Sequence, residues 1–462
     1  MIMLKGPTDT IVTTIFHPFV ARSILYNGIL TRLANEGCTI LILVPEEKVT
    51  FYSALYNHPQ MQFVGISISN INAKFIQFIK RCFEYAIHTN IKRYHADEVL
   101  ARDGHYRWFI FRLALMNSIG RSGLLQNLLR GAFFFLTRNM KTGFEAYITK
   151  DTRTVVASDV YNEYDVLLLA TAQRRGIRTV GIIRSWDNNI SKMLLPVVPD
   201  TLVAQSDILR EEAMRIHGVH TNISVAGIPY YEQYRAYTPI AKETFFEKLG
   251  IPHDAHLILF SPAGNKFIDH DWEFCQILKE AIVDGDLPRN TYVLVRCHPS
   301  NTTDLSRFTP NEHFIIETPG TSFGQTRKKD NELDPHSIEH LIDSLHHSSL
   351  VINLLSSIII DAAAVGTPTM MPRFEARFSP SFLRSISRYQ KEECMARLLS
   401  VWQGSMPRNE TEFIAEINRI LQGETRKDTE ALVRLITTYC PFFEESPSER
   451  LFDIIKNEGL NK

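Results

Sequence analysis

The sequence predicts an α/β protein built from two Rossmann-like domains facing across a cleft. Short apolar runs of strand type alternate with helical stretches along most of the chain, the pattern of parallel sheets joined by crossover helices. The alternation runs twice, with a break near Tyr237-Thr238-Pro239. At 462 residues the chain is also too long for one ordinary core. These observations give an N-terminal domain over 1–238, a second domain over 239–430 and a helical brace over 431–462 that crosses back.

The first series opens with Thr10–Phe16, an apolar, β-branched run that reads as a strand. A helix follows the His17-Pro18-Phe19 loop to about Asn35, and Gly37 stops it. Strands are expected at Thr39–Val44 and Met61–Ile68, then at Thr154–Ser158, Arg178–Arg184, Thr201–Gln205 and Asn222–Ala226. Helices at Tyr164–Arg175 and Ile208–His217 fit between the later strands. Residues 72–139 form a helical insertion rich in Phe, Leu and Arg, suited to a cap, an acceptor site or a partner surface.

The second series has strands at His256–Phe260, Thr291–Val295, Phe314–Glu317, Leu350–Leu354 and Pro368–Met371. Its helices include Asp271–Val283 and His336–His347, then Gln390–Trp402 and Glu410–Leu421. Pro319–Leu333, with Arg327-Lys328-Lys329-Asp330, reads as a mobile polar loop. A last helix is expected at Pro447–Asn457, with Ser446 as its N-cap.

Composition narrows the function classes. Hydrophobic residues are 44% and charged residues 22%, ordinary globular values. Lys and Arg number 50 against 51 Asp and Glu, so a net charge of -1 offers no general attraction for nucleic acid. Six scattered cysteines without CxxC spacing read as reduced thiols of a cytoplasmic protein. The apolar stretches at 108–116 and 131–136 are broken or flanked by arginines and fall short of the roughly 20 residues of a span. They are core helices or, alternatively, an interfacial helix with peripheral membrane contact on the inner face.

The chemistry concentrates at strand ends, where open parallel sheets bind ligands. Arg296 and His298 close one strand before Pro299, with a guanidinium fork and an imidazole for phosphate oxygens. Ser356 and Ser357 open the helix after another strand, where unpaired N–H groups favour an anion. Asp361, on roughly the same helix face as Ser357, can accept from ribose hydroxyls. Gly264 and Asn265 lie in a short loop that lets backbone approach phosphate. Ser185, Trp186, Asn188 and Lys192 form a further cleft-lining group. Asp187 within it, and His17 on the first loop, are the candidate general bases. No dinucleotide fingerprint, P-loop, nucleophile elbow or metal-ligand spacing occurs, so no cofactor and no metal are expected.

Arg296-Cys297-His298-Pro299 resembles the RxHP element of the CDP-glycerol glycerophosphotransferase family. Ser356-Ser357, Asp361 and Gly366-Thr367-Pro368 resemble that family's downstream serine and acidic helix, and bacterial sialyltransferases carry a similar arrangement. Ser185-Trp186-Asp187-Asn188 with Lys192, then 225–229, is similar to a group of transferase-like proteins with an SWDN motif. The resemblance covers about 178–375 and implies a GT-B-fold transferase of surface polysaccharide synthesis. By it, Arg296, His298, Ser356 and Ser357 hold the donor phosphates and Asp361 meets the ribose. The expected activity is transfer of a sugar, or a glycerophosphate-like group, from a nucleotide-activated donor to a glycan or lipid-linked acceptor. A nucleotide-sugar 2-epimerase and a non-catalytic glycan-binding protein on the same fold are the alternatives.

Overall fold

The computed structural model describes residues 9–67, 73–220, 222–299, 301–323, 331–354, 356–377 and 380–457. The basic segment 327–330 lies outside them. The chain divides into two compact units, Met1–Glu232 with Pro441–Lys462, and Gln233–Cys440. The division falls ahead of the Tyr237-Thr238-Pro239 break, and the helix Arg426–Tyr439 belongs to the second unit.

The first unit holds a seven-stranded, wholly parallel sheet. Its strands are β1 (Thr10–Thr14), β2 (Thr39–Pro45), β3 (Met61–Ile66), β4 (Thr152–Ala157), β5 (Arg178–Ile182), β6 (Thr201–Ala204) and β7 (Ile223–Val225). Their order is β3-β2-β1-β4-β5-β6-β7, so the crossovers reverse direction between β1 and β4. The central strands β1, β4, β5 and β6 are buried on both faces, as their β-branched and apolar runs require. The single helix expected up to Asn35 is two, Pro18–Ile24 and Ile29–Asn35, because Gly28 turns left-handed with φ 77° between them. The insertion folds as helices Ala73–Glu84, Asn90–Asp103, Tyr106–Ser118 and Gly123–Thr137.

The second unit holds a five-stranded parallel sheet. It comprises β8 (His256–Ser261), β9 (Thr291–Arg296), β10 (Phe314–Glu317), β13 (Leu350–Asn353) and β14 (Thr369–Met370). A separate two-residue ladder pairs β11 (Thr321–Ser322) with β12 (Asn331–Glu332). The order β10-β9-β8-β13-β14 reverses between β8 and β13. Val293 and Val295 enter one core with Phe260 and Phe274, while Leu294 points the opposite way onto Phe245 and Phe246.

The last helix, Pro447–Asn457, completes the first unit. Leu451, Phe452 and Ile455 are buried in the core formed by Ile11, Ile40 and Val180. Both helix ends are tied. Glu232 accepts from Ser448 N at 2.7 Å and from the Ser446 hydroxyl at 3.1 Å at the N-terminus. Arg178 donates to the carbonyls of Ile454 and Ile455, each at 2.7 Å, at the C-terminus. An acid at the start and a cation at the end match the helix dipole. A Cβ on Gly227, which has φ 81°, would sit 2.7 Å from the Pro441 carbonyl, so the returning chain packs directly on backbone.

Glu232→Ala is expected to lower unfolding free energy by about 1–2 kcal/mol, the cost of stripping a charged acceptor from half-buried donors. Urea titration measures it, and a change below about 0.5 kcal/mol would show that the cap does not hold the helix.

Candidate functional site

Each sheet has one reversal point, and in parallel sheets the crevice for a ligand opens there, beyond the carboxyl ends of the strands. The predicted residues divide between these two places according to unit.

In the first unit the reversal brings the loop after β1 beside the loop after β4. The chain leaves β1 and places His17 as the N-cap of the Pro18–Ile24 helix, where Nδ1 accepts from Phe19 N–H at 3.2 Å. In the neutral ring the proton then sits on Nε2. Burial, followed by Arg184, Lys192, Lys48 and Arg22, drives its pKa down to about 2. A general base needs an open lone pair and a pKa near the working pH. His17 has its lone pair engaged and its proton affinity suppressed. With Nε2–H and those cations, the strand end is instead suited to an anion.

Beside it, Ser158 N–H donates to Asp165 Oδ1 at 3.2 Å, and the Thr14 hydroxyl bonds the same oxygen. Asp165 is fully buried, and burial pushes its carboxyl well above the ordinary range. After β5, Arg184 pairs with Asp159 at 2.7 Å in a largely buried ion pair. Asp187 follows in the Ser185-Trp186-Asp187-Asn188 turn. It accepts from the hydroxyls of Ser185 at 2.7 Å and Ser191 at 2.8 Å, and from Asn188 Nδ2 at 3.3 Å. Burial would raise its carboxyl, but Lys192, the two serine hydroxyls and Arg184 outweigh it and hold it below the usual carboxylate range. So saturated, Asp187 anchors its loop and is poorly disposed to take a proton. Trp186 and Lys192 are half-buried in the same turn, and Asn188 is buried. A pocket at these strand ends is lined by Ser158, Arg184, Gln205 and Gly227, with Val20 and Leu451 as apolar walls.

In the second unit β8 and β13 pair directly, Asn353 opposite Ser261, so the loops after them are neighbours. The loop after β8 is held by a residue the sequence reading passed over. Asp271 opens the helix Asp271–Asp284 and accepts from Ala263 N and Gly264 N, both at 2.8 Å. Burial pushes its carboxyl up to about 6 despite those bonds. Gly264 has φ 82°, and a Cβ there would lie 3.1 Å from the Thr302 carbonyl. Asn265 N donates to that carbonyl at 2.7 Å, while its side-chain oxygen accepts from Asp304 N at 2.7 Å. Asn265 therefore joins the loop after β8 to the loop after β9.

After β13, Asn353 bonds both backbone groups of Ser356, accepting from its N at 2.8 Å and donating to its O at 2.6 Å. This fixes the entry to the helix Ile358–Val365. The Ser356 hydroxyl accepts from Ile358 N at 3.3 Å, and Ser357 is the N-cap residue without a side-chain capping bond. His298 follows β9, its Nδ1 accepting from Asn301 N at 3.2 Å, which leaves Nε2 as the donor nitrogen of the neutral ring.

Two expected donor residues have other work. Arg296 is 5% exposed, and its guanidinium pairs with Glu317, its register partner on β10. Glu317 also bonds His340 at 2.8 Å. Arg296 stands on the same strand face as Leu294, so it braces β9 to β10 instead of reaching past the strand end. Asp361 is 7% exposed and accepts from the Tyr234 hydroxyl at 2.6 Å, a contact that competes with the expected ribose. Among the described residues no group of three His, Cys, Asp or Glu could hold a metal ion, and no helix is long and apolar enough to cross a membrane.

No family model and no curated protein matches this sequence. Solved structures match over nearly the whole chain. A Listeria monocytogenes protein provisionally assigned as a UDP-N-acetylglucosamine 2-epimerase is 10% identical with a TM-score of 0.55, covering 98% of this chain and 97% of its own. The Neisseria meningitidis UDP-GlcNAc 2-epimerase bound to UDP-GlcNAc is 7% identical with a TM-score of 0.54, covering 96% and 99%. Staphylococcus aureus MnaA, solved with UDP, is 8% identical with a TM-score of 0.51, covering 97% and 96%. At such identities the likeness defines the fold: an α/β protein of two Rossmann-like units of GT-B type.

His17 and His217, the latter with its pKa lowered to about 3 by burial, both stay neutral when folded. Unfolded imidazoles take up protons near pH 6.5. Below that pH the unfolded state binds more protons, so each histidine's contribution is present above it and lost as pH falls. The stability deficit of His217→Gln relative to the parent should therefore shrink by about 2 kcal/mol between pH 7 and pH 5. Urea unfolding at both pH values reads this, and a constant deficit contradicts a neutral buried His217.

Proposed function

We propose that this chain is an enzyme that binds a nucleotide-activated sugar through its second unit and transfers the sugar to a glycan or lipid-linked acceptor. The observation that carries the reading is the β8–β13 reversal point. It sets the Gly264–Asn265 loop beside the Ser356–Ser357 helix start, with His298 on the loop after the adjoining strand. Backbone N–H groups of the Ile358–Val365 helix, the Ser357 hydroxyl and His298 Nε2–H are donors suited to phosphate oxygens. When the bond from sugar carbon to phosphate oxygen breaks, the departing phosphate gains charge, and fixed donors stabilise that charge. The cation-rich end around His17 is the proposed anion-stabilising element of the first unit. The UDP-GlcNAc and UDP bound in the Neisseria and Staphylococcus structures support a uridine nucleotide as the first donor class to try.

Epimerisation is the second reading, because the structures named above include 2-epimerases. It differs in needing no acceptor.

Calorimetry with UDP-, CDP- and CMP-activated sugars should show binding of one class. Ser357→Ala and His298→Ala should each weaken it about tenfold, or ~1.4 kcal/mol. Absence of binding for all three, or affinity unchanged in both variants, contradicts the reading. Turnover of UDP-N-acetylglucosamine by the protein alone would assign epimerisation.

A further inference from the structure

We propose that the outward face of the Tyr106–Ser118 and Gly123–Thr137 helices is a docking surface for an anionic lipid bilayer. The second of these helices is amphipathic the wrong way round for a core helix. Its inner face is held by polar groups. Gln126 donates to the carbonyls of Ala86 at 3.3 Å and Ile216 at 3.0 Å, and Arg130 donates to the Leu195 carbonyl at 2.9 Å. Gln126, Thr137 and one aromatic ring, Phe133, are buried, whereas Leu124, Leu128, Phe135 and Leu136 are 71%, 61%, 61% and 59% exposed. A surface helix ordinarily turns its apolar stripe inward. The preceding helix of the chain adds Trp108 at 60% and Phe111 at 51% exposed, and ring contact at 5.7 Å joins them edge to face. Large apolar side chains exposed on two successive helices mark an interaction site.

Charge selects the partner. Residues 104–144 contain no Asp or Glu but contain Arg107, Arg112, Arg121, Arg130, Arg138 and Lys141. That is six positive charges and no negative ones within a chain of net charge -1. Arg107, Arg121, Arg138 and Lys141 are exposed, and the Arg138 guanidinium lies 4.2 Å from the Phe135 ring centroid. Apolar side chains bordered by arginines, with Trp and Tyr among them, suit the headgroup and upper acyl region of an anionic membrane. At 15 residues the Gly123–Thr137 helix is too short for the roughly 20 that span a bilayer, so it would lie in the plane of the interface. Two copies pairing through this face would bring like charges together, which disfavours self-association.

The inference concerns a surface of the first unit and does not depend on donor binding, which calorimetry reads separately. Co-sedimentation with vesicles of phosphatidylcholine alone, and with about one third phosphatidylglycerol added, tests it. The protein should bind the anionic vesicles about tenfold more tightly than the neutral ones, and raised salt should release it. The triple variants Leu124→Ser/Leu128→Ser/Phe135→Ser and Arg107→Gln/Arg121→Gln/Arg138→Gln should each weaken that binding at least about tenfold while circular dichroism and melting stay as in the parent. Failure to bind anionic vesicles, equal binding to neutral ones, or binding unaffected in both variants overturns the proposal. So does a parent that is dimeric by light scattering, binds no vesicles and becomes monomeric in the leucine variant, which would give the face to a second copy.

Discussion

The constraint on which this protein's chemistry depends is the direct parallel pairing of a unit's first strand with its fourth. β1 pairs with β4 in one unit and β8 with β13 in the other. A right-handed crossover places its helix on one face of the sheet when the chain moves one way and on the opposite face when it moves the other. Where the direction reverses, the crossover helices lie on opposite faces and a crevice opens between the loops beyond the strand ends. His17 and Ser158 stand at one such place, Gly264 and Ser357 at the other. Neither depends on a long-range coincidence of side chains; both follow from strand order.

The two strand ends are built from different groups. The first unit gathers Arg184, Lys192, Lys48 and Arg22 around an imidazole that burial keeps neutral. The second relies on backbone N–H groups, with Asp271 shaping the Gly264 loop and Asn353 shaping the Ser356 turn. Buried Asp165 and Asp271 each accept from backbone N–H groups and so fix the loops after β4 and β8.

Strands were legible because both faces of each sheet are covered, so β-branched and apolar residues run nearly unbroken through Thr10–Thr14 and Leu350–Asn353. The loops bearing Gly264 and Ser356 were legible from the Gly and the serine pair that follow those runs. Individual side-chain roles were less so. Arg296 was expected to reach past its strand, but the two-residue alternation that turns Leu294 onto Phe245 turns Arg296 the same way, onto Glu317. Asp187 and His17 were expected as bases; the bonds that suppress that role come from Ser191 and Phe19 nearby in sequence and from cations on distant segments. Asp361 meets Tyr234, a partner 127 residues away that no local pattern reveals. The outward leucines at 124 and 128 were read within a helical insertion, yet only the fold shows that Gln126 is the residue turned inward.

The most direct measurement of the central claim is a crystal structure with the nucleotide donor that calorimetry selects. The account predicts the diphosphate at the start of the Ile358–Val365 helix, within hydrogen-bonding distance of Ser357 and His298. A nucleotide bound elsewhere, with that helix start contacting only water, would contradict it.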